Sequence, residues 1–307
     1  MMTDRHYGGI LPVVPTTFTD DGSLDLESQR RALDCMVDQG VDGACILANF
    51  SEQFLLTDEE RDTLLTKCLD HVADRIPIIV TCSHFSTRVA VERARRAEAA
   101  GAAMIMMMPP YHGTALKADE GGIREHFERI ADAIEIPIML QDAPLSGVSL
   151  SVRFLAELAQ AIPQLAYFKI EVPGTAGKIR ALIEAAGAAI EGPLDGEESI
   201  TLMADLDAGA TGSMSSALLP EFIRRVIELH KSGDRKAAAV EYARILPLIN
   251  YENRQCGLRA AKTVMKEGGV IASDAVRHPL ELLHPETRRG LLDLASELDV
   301  IALRWGR

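Results

Sequence analysis

The strongest candidate for chemistry in this chain is a pair of residues two positions apart. Lys169 stands in the apolar run LAYFKIE (165–171), between Phe168 and Ile170. Such a run reads as a buried strand, and an ammonium buried there without a partner is expensive. Desolvation disfavours the charged form and leaves an amine that attacks carbonyl carbons. Glu171 follows two residues later, and strand periodicity places both side chains on one face. A carboxylate beside a Schiff-base nitrogen can act as general base on the adjacent carbon. A plainer reading stands next to this one: a lysine at the exposed end of a strand, held by Glu171 in an ordinary ion pair.

Further polar groups close the neighbouring apolar runs. ANFSE (48–52) offers Asn49, the backbone N–H groups of Phe50 and Ser51, and the Ser51 hydroxyl, a cluster of donors that suits a carboxylate. CSHFS (82–86) offers His84, either as a partner for a substrate hydroxyl or as a surface histidine. PPYHG (109–113) offers Tyr111 and His112, and QDAP (141–144) offers Gln141 and Asp142. In GPLDGEE (192–198), Gly192 and Gly196 would let a ligand approach the backbone. Asp195, Glu197 and Glu198 read more simply as an acidic first helical turn than as a cation site. The chain carries no H-E-x-x-H and no P-loop. We expect no metal and no organic cofactor, because a lysine Schiff base is itself an electron sink.

Strands alternate with amphipathic helices along the first two thirds of the chain. GGILPV (8–13), DGACILAN (42–49), IPIIVTC (76–82), AAMIMMM (102–108), IPIMLQD (136–142), LAYFKIE (165–171), AIEG (189–192) and GATGSM (209–214) read as eight strands. Helices are expected between them over about 26–39, 87–100, 122–133, 152–161, 176–186 and 197–208, with one more opened by a Thr57–Glu60 capping box. Gly101 reads as a helix stop. Alternation of this kind makes a parallel sheet, and eight units favour a closed (β/α)8 barrel over an open sheet. No G-x-G-x-x-G follows any strand. From Leu219 onward the pattern is helical. We therefore expect a barrel over residues 1–232 and C-terminal helices over 233–307, packed as one structural unit.

Bulk composition excludes several classes. The chain has 307 residues, 47% hydrophobic and 25% charged, with a formal net charge of −13. That balance argues against a nucleic-acid-binding face, but not against a small anionic substrate. Five cysteines without metal-ligand spacing suggest buried free thiols in a reducing compartment. With no apolar leader and no run long enough to span a bilayer, we expect a cytoplasmic protein with no membrane partner.

Taken together, VVPTTFTDDGSLD (13–25), ANFSE, LTDEER (56–61), FKIE (168–171) and GATGSMS (209–215) resemble the dihydrodipicolinate synthase / N-acetylneuraminate lyase family. ANFSE stands where that family has its G-[ST]-T-G-E carboxylate loop, and FKIE stands where it has its Schiff-base lysine. The resemblance covers nearly the whole chain. It implies a (β/α)8 barrel with a C-terminal helical extension, a Schiff base on Lys169, a small 2-keto acid substrate, and a homo-oligomer, commonly a tetramer. Two departures are informative. The family's synthases and lyases carry a Y-N-x-P tyrosine where this chain has Gln141, and a small residue where it has Glu171. One acid–base group has gone and another has appeared on the next strand. With MPPYHG (108–113) and EGPLDGEE (191–198), these departures resemble the family's 2-keto-3-deoxy sugar acid dehydratases. Substrate contacts are then expected from Asn49, Phe50, Ser51, His84, Tyr111, Gln141 and Gly196. Three alternatives remain at this point: a pyruvate-dependent aldolase or synthase, a dehydratase of 5-keto-4-deoxyglucarate, and a non-enzymatic keto-acid binding protein.

Overall fold

The computed structural model describes residues 6–113 and 116–307. They gather into two compact units. One holds Gly9–Pro77, Glu198–Ile200 and Ser215–Arg307; the other holds Ile78–Glu197 and Thr201–Met214, with the N-terminal residues through Gly8.

The first unit carries strands β1 (Gly9–Ile10) and β2 (Ala44–Ile46). Val13 bridges in parallel to Cys45 on one side and to Ser216 on the other. Helices Leu26–Asp38 and Asp58–Val72 follow these strands. The second opens on the expected Thr57–Glu60 capping box. Glu60 also receives Arg277, whose hydrogen bonds hold its carboxyl down at about 2. The rest of the unit is helical: Pro220–Lys231, Arg235–Tyr251, a π-helical turn at Glu252–Cys256, Arg259–Glu267 and Pro285–Leu298. At its centre Lys262 pairs with Glu52, both side chains being fully buried. Phe18 lies between two cations, with Lys262 Nζ 4.5 Å and Arg277 Cζ 4.4 Å from its ring centroid. Paired charges against an aromatic face offset a desolvation cost that neither ion could bear alone.

Among its described residues, the second unit contributes six strands to the parallel sheet: β3 (Ile78–Thr81), β4 (Met104–Met107), β5 (Ile138–Asp142), β6 (Tyr167–Ile170), β7 (Gly192–Asp195) and β8 (Gly212–Ser213). Each pairs in parallel with the next. Every residue of β3 to β7 is buried. Parallel strands covered on both faces must be nearly continuous apolar runs, which is why this sequence reads as it does. The intervening helices are Thr87–Ala99, Glu120–Ala131, Val152–Ala161, Thr175–Ala186 and Leu202–Asp207. All five cysteines of the chain are buried thiols outside any disulfide.

The segment around β7 departs from the sequence expectation. The strand begins at Gly192 rather than ending there, and it ends on a buried aspartate. The following helix starts only at Leu202, so the acidic residues before it form no helical turn. Glu198 and Ser199 instead take left-handed backbone angles, with φ of 46° and 67°. Hydrogen bonds from the Tyr242 hydroxyl to the Ser199 and Ile200 carbonyls hold this stretch, the former at 3.1 Å. Such conformations cost about 1 kcal/mol or more per non-glycine residue, so the surroundings must impose them.

Three deeply buried carboxyls set a pH dependence for stability. Burial pushes Asp195 and Glu221 up to about 7 and Glu252 up to about 8. An acid whose pKa is raised by folding binds more protons folded than unfolded. Its contribution is therefore complete below about pH 4 and is lost as pH rises through 7 to 8. We expect thermal melts followed by circular dichroism to give a lower midpoint at about pH 8.5 than at about pH 5.5. An equal or higher midpoint at the alkaline end would contradict these assignments.

Candidate active site

The second unit brings four of the sequence-selected residues together. Lys169 lies near the end of β6 with 4% of its side chain exposed, and it forms an ion pair with Glu171, which is 16% exposed. Two residues along one strand share a face, and this contact is the result. Gln141 of β5 stands directly opposite Lys169 in the sheet register. Its Nε2 donates to Glu171 Oε1 at 2.8 Å. Its Oε1 is buried and accepts no hydrogen bond from the described residues.

Gly196 completes the group. Its N–H donates to the Ile170 carbonyl at 3.0 Å, extending the sheet beyond β7. A methyl group here would stand 2.6 Å from Glu171 Cγ and 2.7 Å from Lys169 Cγ. Glycine is therefore required for the lysine and glutamate to lie where they do. Gly192, by contrast, makes room for Thr211, whose hydroxyl would be 2.5 Å from an added Cβ.

Asp142, the next residue of β5, was not singled out for a partner in the sequence. It pairs with Lys178 at 2.5 Å, and Lys178 also donates to the Leu150 carbonyl at 2.6 Å. Burial raises the Asp142 pKa, Lys178 opposes the rise, and the nearby Glu171 charge adds to it. A lysine near the start of a helix that follows the adjacent strand was the available signal.

His84 and Tyr111 belong to the same unit, each with contacts of its own. The Ser86 N–H donates to His84 Nδ1 at 2.9 Å, so the neutral ring carries its proton on Nε2. His126, buried behind it, is pushed down to about 4 by burial and then by the charge of His84. Tyr111 begins a short hairpin of Tyr111–His112 with Leu116–Lys117, and partial burial raises its phenol.

Asn49, Phe50 and Ser51 belong to the other unit, where they form a single 3-10 turn (Asn49–Ser51). The Ser51 N–H donates to the Ala48 carbonyl at 3.0 Å and its hydroxyl to the Val14 carbonyl at 2.6 Å. Both donors hold the turn itself. Gln53 Nε2 donates to Asn49 Oδ1 at 2.6 Å, which fixes the orientation of that amide. Glu52, in a left-handed conformation, anchors the turn through its buried bond with Lys262.

Chemically, the β6 group joins an amine to a base. A carboxylate touching a lysine can take its proton without help from solvent, leaving a neutral nucleophile. The same carboxylate is then free to remove another proton from whatever the amine has bound.

Comparison with known proteins identifies the family and the fold. The model of the dihydrodipicolinate synthetase family matches residues 6–298. The chain is 57% identical to the L-2-keto-3-deoxyarabonate dehydratase of Azospirillum brasilense over 303 residues, 99% of this chain and 98% of that protein. It is 30% identical to 4-hydroxy-tetrahydrodipicolinate synthase 2 of Streptomyces coelicolor, over 94% of this chain and 95% of that one. Among solved structures, YagE of E. coli K12, determined in complex with pyruvate, superposes with a TM-score of 0.88 at 26% identity, covering 96% of this chain and 99% of that one. Dihydrodipicolinate synthase from Rhodopseudomonas palustris superposes with a TM-score of 0.86 at 27% identity, over 95% and 97% of the two chains. The fold class is thus α/β, the (β/α)8 barrel with a C-terminal helical part.

The Gly196 contact yields a direct test. Gly196→Ala must displace Lys169 and Glu171 side chains near their roots, where they cannot simply swing aside. A displacement of about 1 Å costs on the order of a hundredfold in rate, whereas overpacking costs stability only about 1–3 kcal/mol. We expect a folded protein whose amine reacts at least about tenfold more slowly with a keto acid. Unchanged reactivity of the variant would mean that the packing at Gly196 does not position the pair.

Proposed function

Because the chain belongs to the dihydrodipicolinate synthetase family, we propose that it is a Schiff-base hydro-lyase. It dehydrates 2-keto-3-deoxy-L-arabonate to 2,5-dioxopentanoate and water. The observation that carries this reading is the Lys169–Glu171–Gln141 group, with a carboxylate in contact with the amine and an amide where the family's synthases and lyases have a tyrosine.

The chemistry follows from the group. The Lys169 amine adds to the carbon 2 carbonyl, and loss of water gives an iminium that acidifies carbon 3. Glu171 removes a proton from carbon 3, and the resulting enamine expels the carbon 4 hydroxyl as water. The conjugated iminium loses a carbon 5 proton to give a dienol, which is reprotonated toward the aldehyde. Hydrolysis releases 2,5-dioxopentanoate and returns the amine. No carbon–carbon bond is made or broken, so the reaction needs no tyrosine relay at Gln141. Gln141 Nε2 instead orients the base, and its unpartnered Oε1 is suited to a substrate hydroxyl.

Around this centre we place the remaining contacts by their positions in the family. Asn49, Phe50 and Ser51 serve the substrate carboxylate, His84 and Tyr111 the distal hydroxyls, and Gly196 the close approach of the chain. We further infer the barrel over residues 1–232 and the C-terminal helices over 233–307, assembly as a homotetramer, and a place in cytoplasmic L-arabinose degradation.

Borohydride trapping with 2-keto-3-deoxy-L-arabonate, read by mass spectrometry, tests the reading. An adduct on Lys169 with 2,5-dioxopentanoate in solution is expected. Free pyruvate and glycolaldehyde beside the same adduct would make the protein an aldolase instead. Glu171→Gln should still form the adduct but lose about a hundredfold or more in turnover. An unchanged rate in that variant would remove Glu171 from the role of base.

A further inference from the structure

One lysine outside the reacting group holds both ends of the loop that follows β5. After Asp142, the last residue of β5, the chain turns through Pro144–Ser146 and passes Leu150 before the helix Val152–Ala161 begins. Lys178 stands in the opening turn of the Thr175–Ala186 helix, with 15% of its side chain exposed. Its Nζ lies 2.5 Å from Asp142 Oδ2 and donates to the Leu150 carbonyl at 2.6 Å. One ammonium therefore joins the residue that enters the loop to the residue that leaves it.

This contact differs from an ordinary surface pair. The Asp142 side chain is 1% exposed, and its Oδ2 accepts no hydrogen bond from the described residues, so the ion pair is what compensates that oxygen. A cation in the opening turn of a helix also stands against the helix dipole. Asp142 and the Leu150 carbonyl hold Lys178 there in spite of that field.

From Asp142 the clamp reaches the base. The Asp142 carbonyl accepts the Glu171 N–H at 3.0 Å. Gln141, the residue before it, donates from Nε2 to Glu171 Oε1 at 2.8 Å. Successive strand residues point to opposite faces, so Gln141 turns toward Glu171 while Asp142 turns toward Lys178. The end of β5 thus grips Glu171 by its main chain and by its carboxylate, and Lys178 grips the end of β5.

We propose that Lys178 is a positioning residue for Glu171, acting through Asp142. The proposal rests on Lys169 as the Schiff-base lysine and Glu171 as the base. With the ammonium in place, the end of β5 is fixed and the carboxylate is aimed at carbon 3 of the bound keto acid. Without it, a buried carboxylate is left uncompensated and the strand end shifts. Proton removal at carbon 3 then slows, while the adduct on Lys169 still forms.

Pyruvate separates these two steps on the intact chain. Its carbonyl carbon takes the Lys169 amine and loses water to give an iminium. Glu171 removes a proton from the methyl carbon to give the enamine, and in D2O a deuteron returns to that carbon before hydrolysis. Borohydride trapping read by mass spectrometry counts the adduct, and proton NMR in D2O follows loss of the methyl signal. In Lys178→Met the exchange rate per adduct should fall at least about tenfold, with the adduct at saturating pyruvate within about threefold of wild type. Lys178→Arg keeps a cation able to reach both acceptors, and both measurements should stay within about threefold of wild type. An unchanged exchange rate per adduct in Lys178→Met overturns the proposal, as does an equal loss in Lys178→Arg. Adduct and exchange falling together in Lys178→Met would mean a general loss of structure and would also overturn it. If Lys178→Met does not fold, Asp142→Asn with Lys178→Met removes the uncompensated charge along with the clamp, and the same fall is expected. Wild type that traps pyruvate without exchanging its methyl protons would remove Glu171 as the base. Failure of both pyruvate and the sugar acid to form any adduct with wild type would overturn the Schiff-base reading itself.

Discussion

A buried lysine and a half-buried glutamate side by side at the end of a parallel strand are the constraint around which the second unit is built. Neither charge could be placed there alone. Removing one partner of a buried pair costs about 3–5 kcal/mol, because the other is left without compensation. The strand that carries Lys169 is otherwise Tyr167, Phe168 and Ile170, all buried. The sheet thus supplies a dry floor for the amine. Glu171 keeps the lysine tolerable at rest and gives it a base in contact. Gln141 fixes the carboxylate by one hydrogen bond, and Gly196 leaves the room both side chains need.

The chain contains a second buried lysine–glutamate pair, and the difference between the two separates structure from chemistry. Lys262 and Glu52 have no exposed side-chain surface, and both have further partners. The lysine also donates to the Ala275 carbonyl at 2.8 Å, while Glu52 accepts the Arg277 N–H at 3.0 Å. That pair is closed and ties the Asn49–Ser51 turn to the helix Arg259–Glu267 within its own unit. Beside the Lys169 pair, a buried amide oxygen of Gln141 has no hydrogen-bond partner among the described residues. An unsatisfied buried acceptor costs about 1–3 kcal/mol, a cost that a bound donor would remove. Closed polar networks hold folds together; open ones are arranged for ligands.

Much of this was legible in the residues themselves. Buried parallel strands are long apolar runs, so the run around Lys169 announced both the strand and the anomaly of a lysine within it. Period-two spacing alone places Glu171 on the same face as the lysine. Helix boundaries set by capping, as at Thr57, or by glycine, as at Gly101, fell within a residue of their expected places. The segment around β7 was not legible, because acidic residues usually mark a solvated turn. Here Asp195 is buried and accepts a hydrogen bond from the hydroxyl of Ser213, 18 positions later. Local composition carries no trace of a partner supplied by another strand or helix. The same holds for Gln141, whose neighbourhood suggests only a polar strand end, although its partner lies across the sheet in the next strand.

The exchange of a tyrosine for a glutamine is understandable once the proton traffic is followed. A phenol near the iminium can give and take protons, which aids carbon–carbon bond formation and cleavage. In a dehydration it would instead offer a second destination for the carbon 3 proton. Glutamine does not titrate, so it can hold the base in place without competing with it. Asp142, the other carboxyl at this strand end, is paired with Lys178. This arrangement leaves Glu171 as the carboxylate in contact with the amine, and on the proposed mechanism fewer acids and bases beside a Schiff base on Lys169 would favour elimination over cleavage.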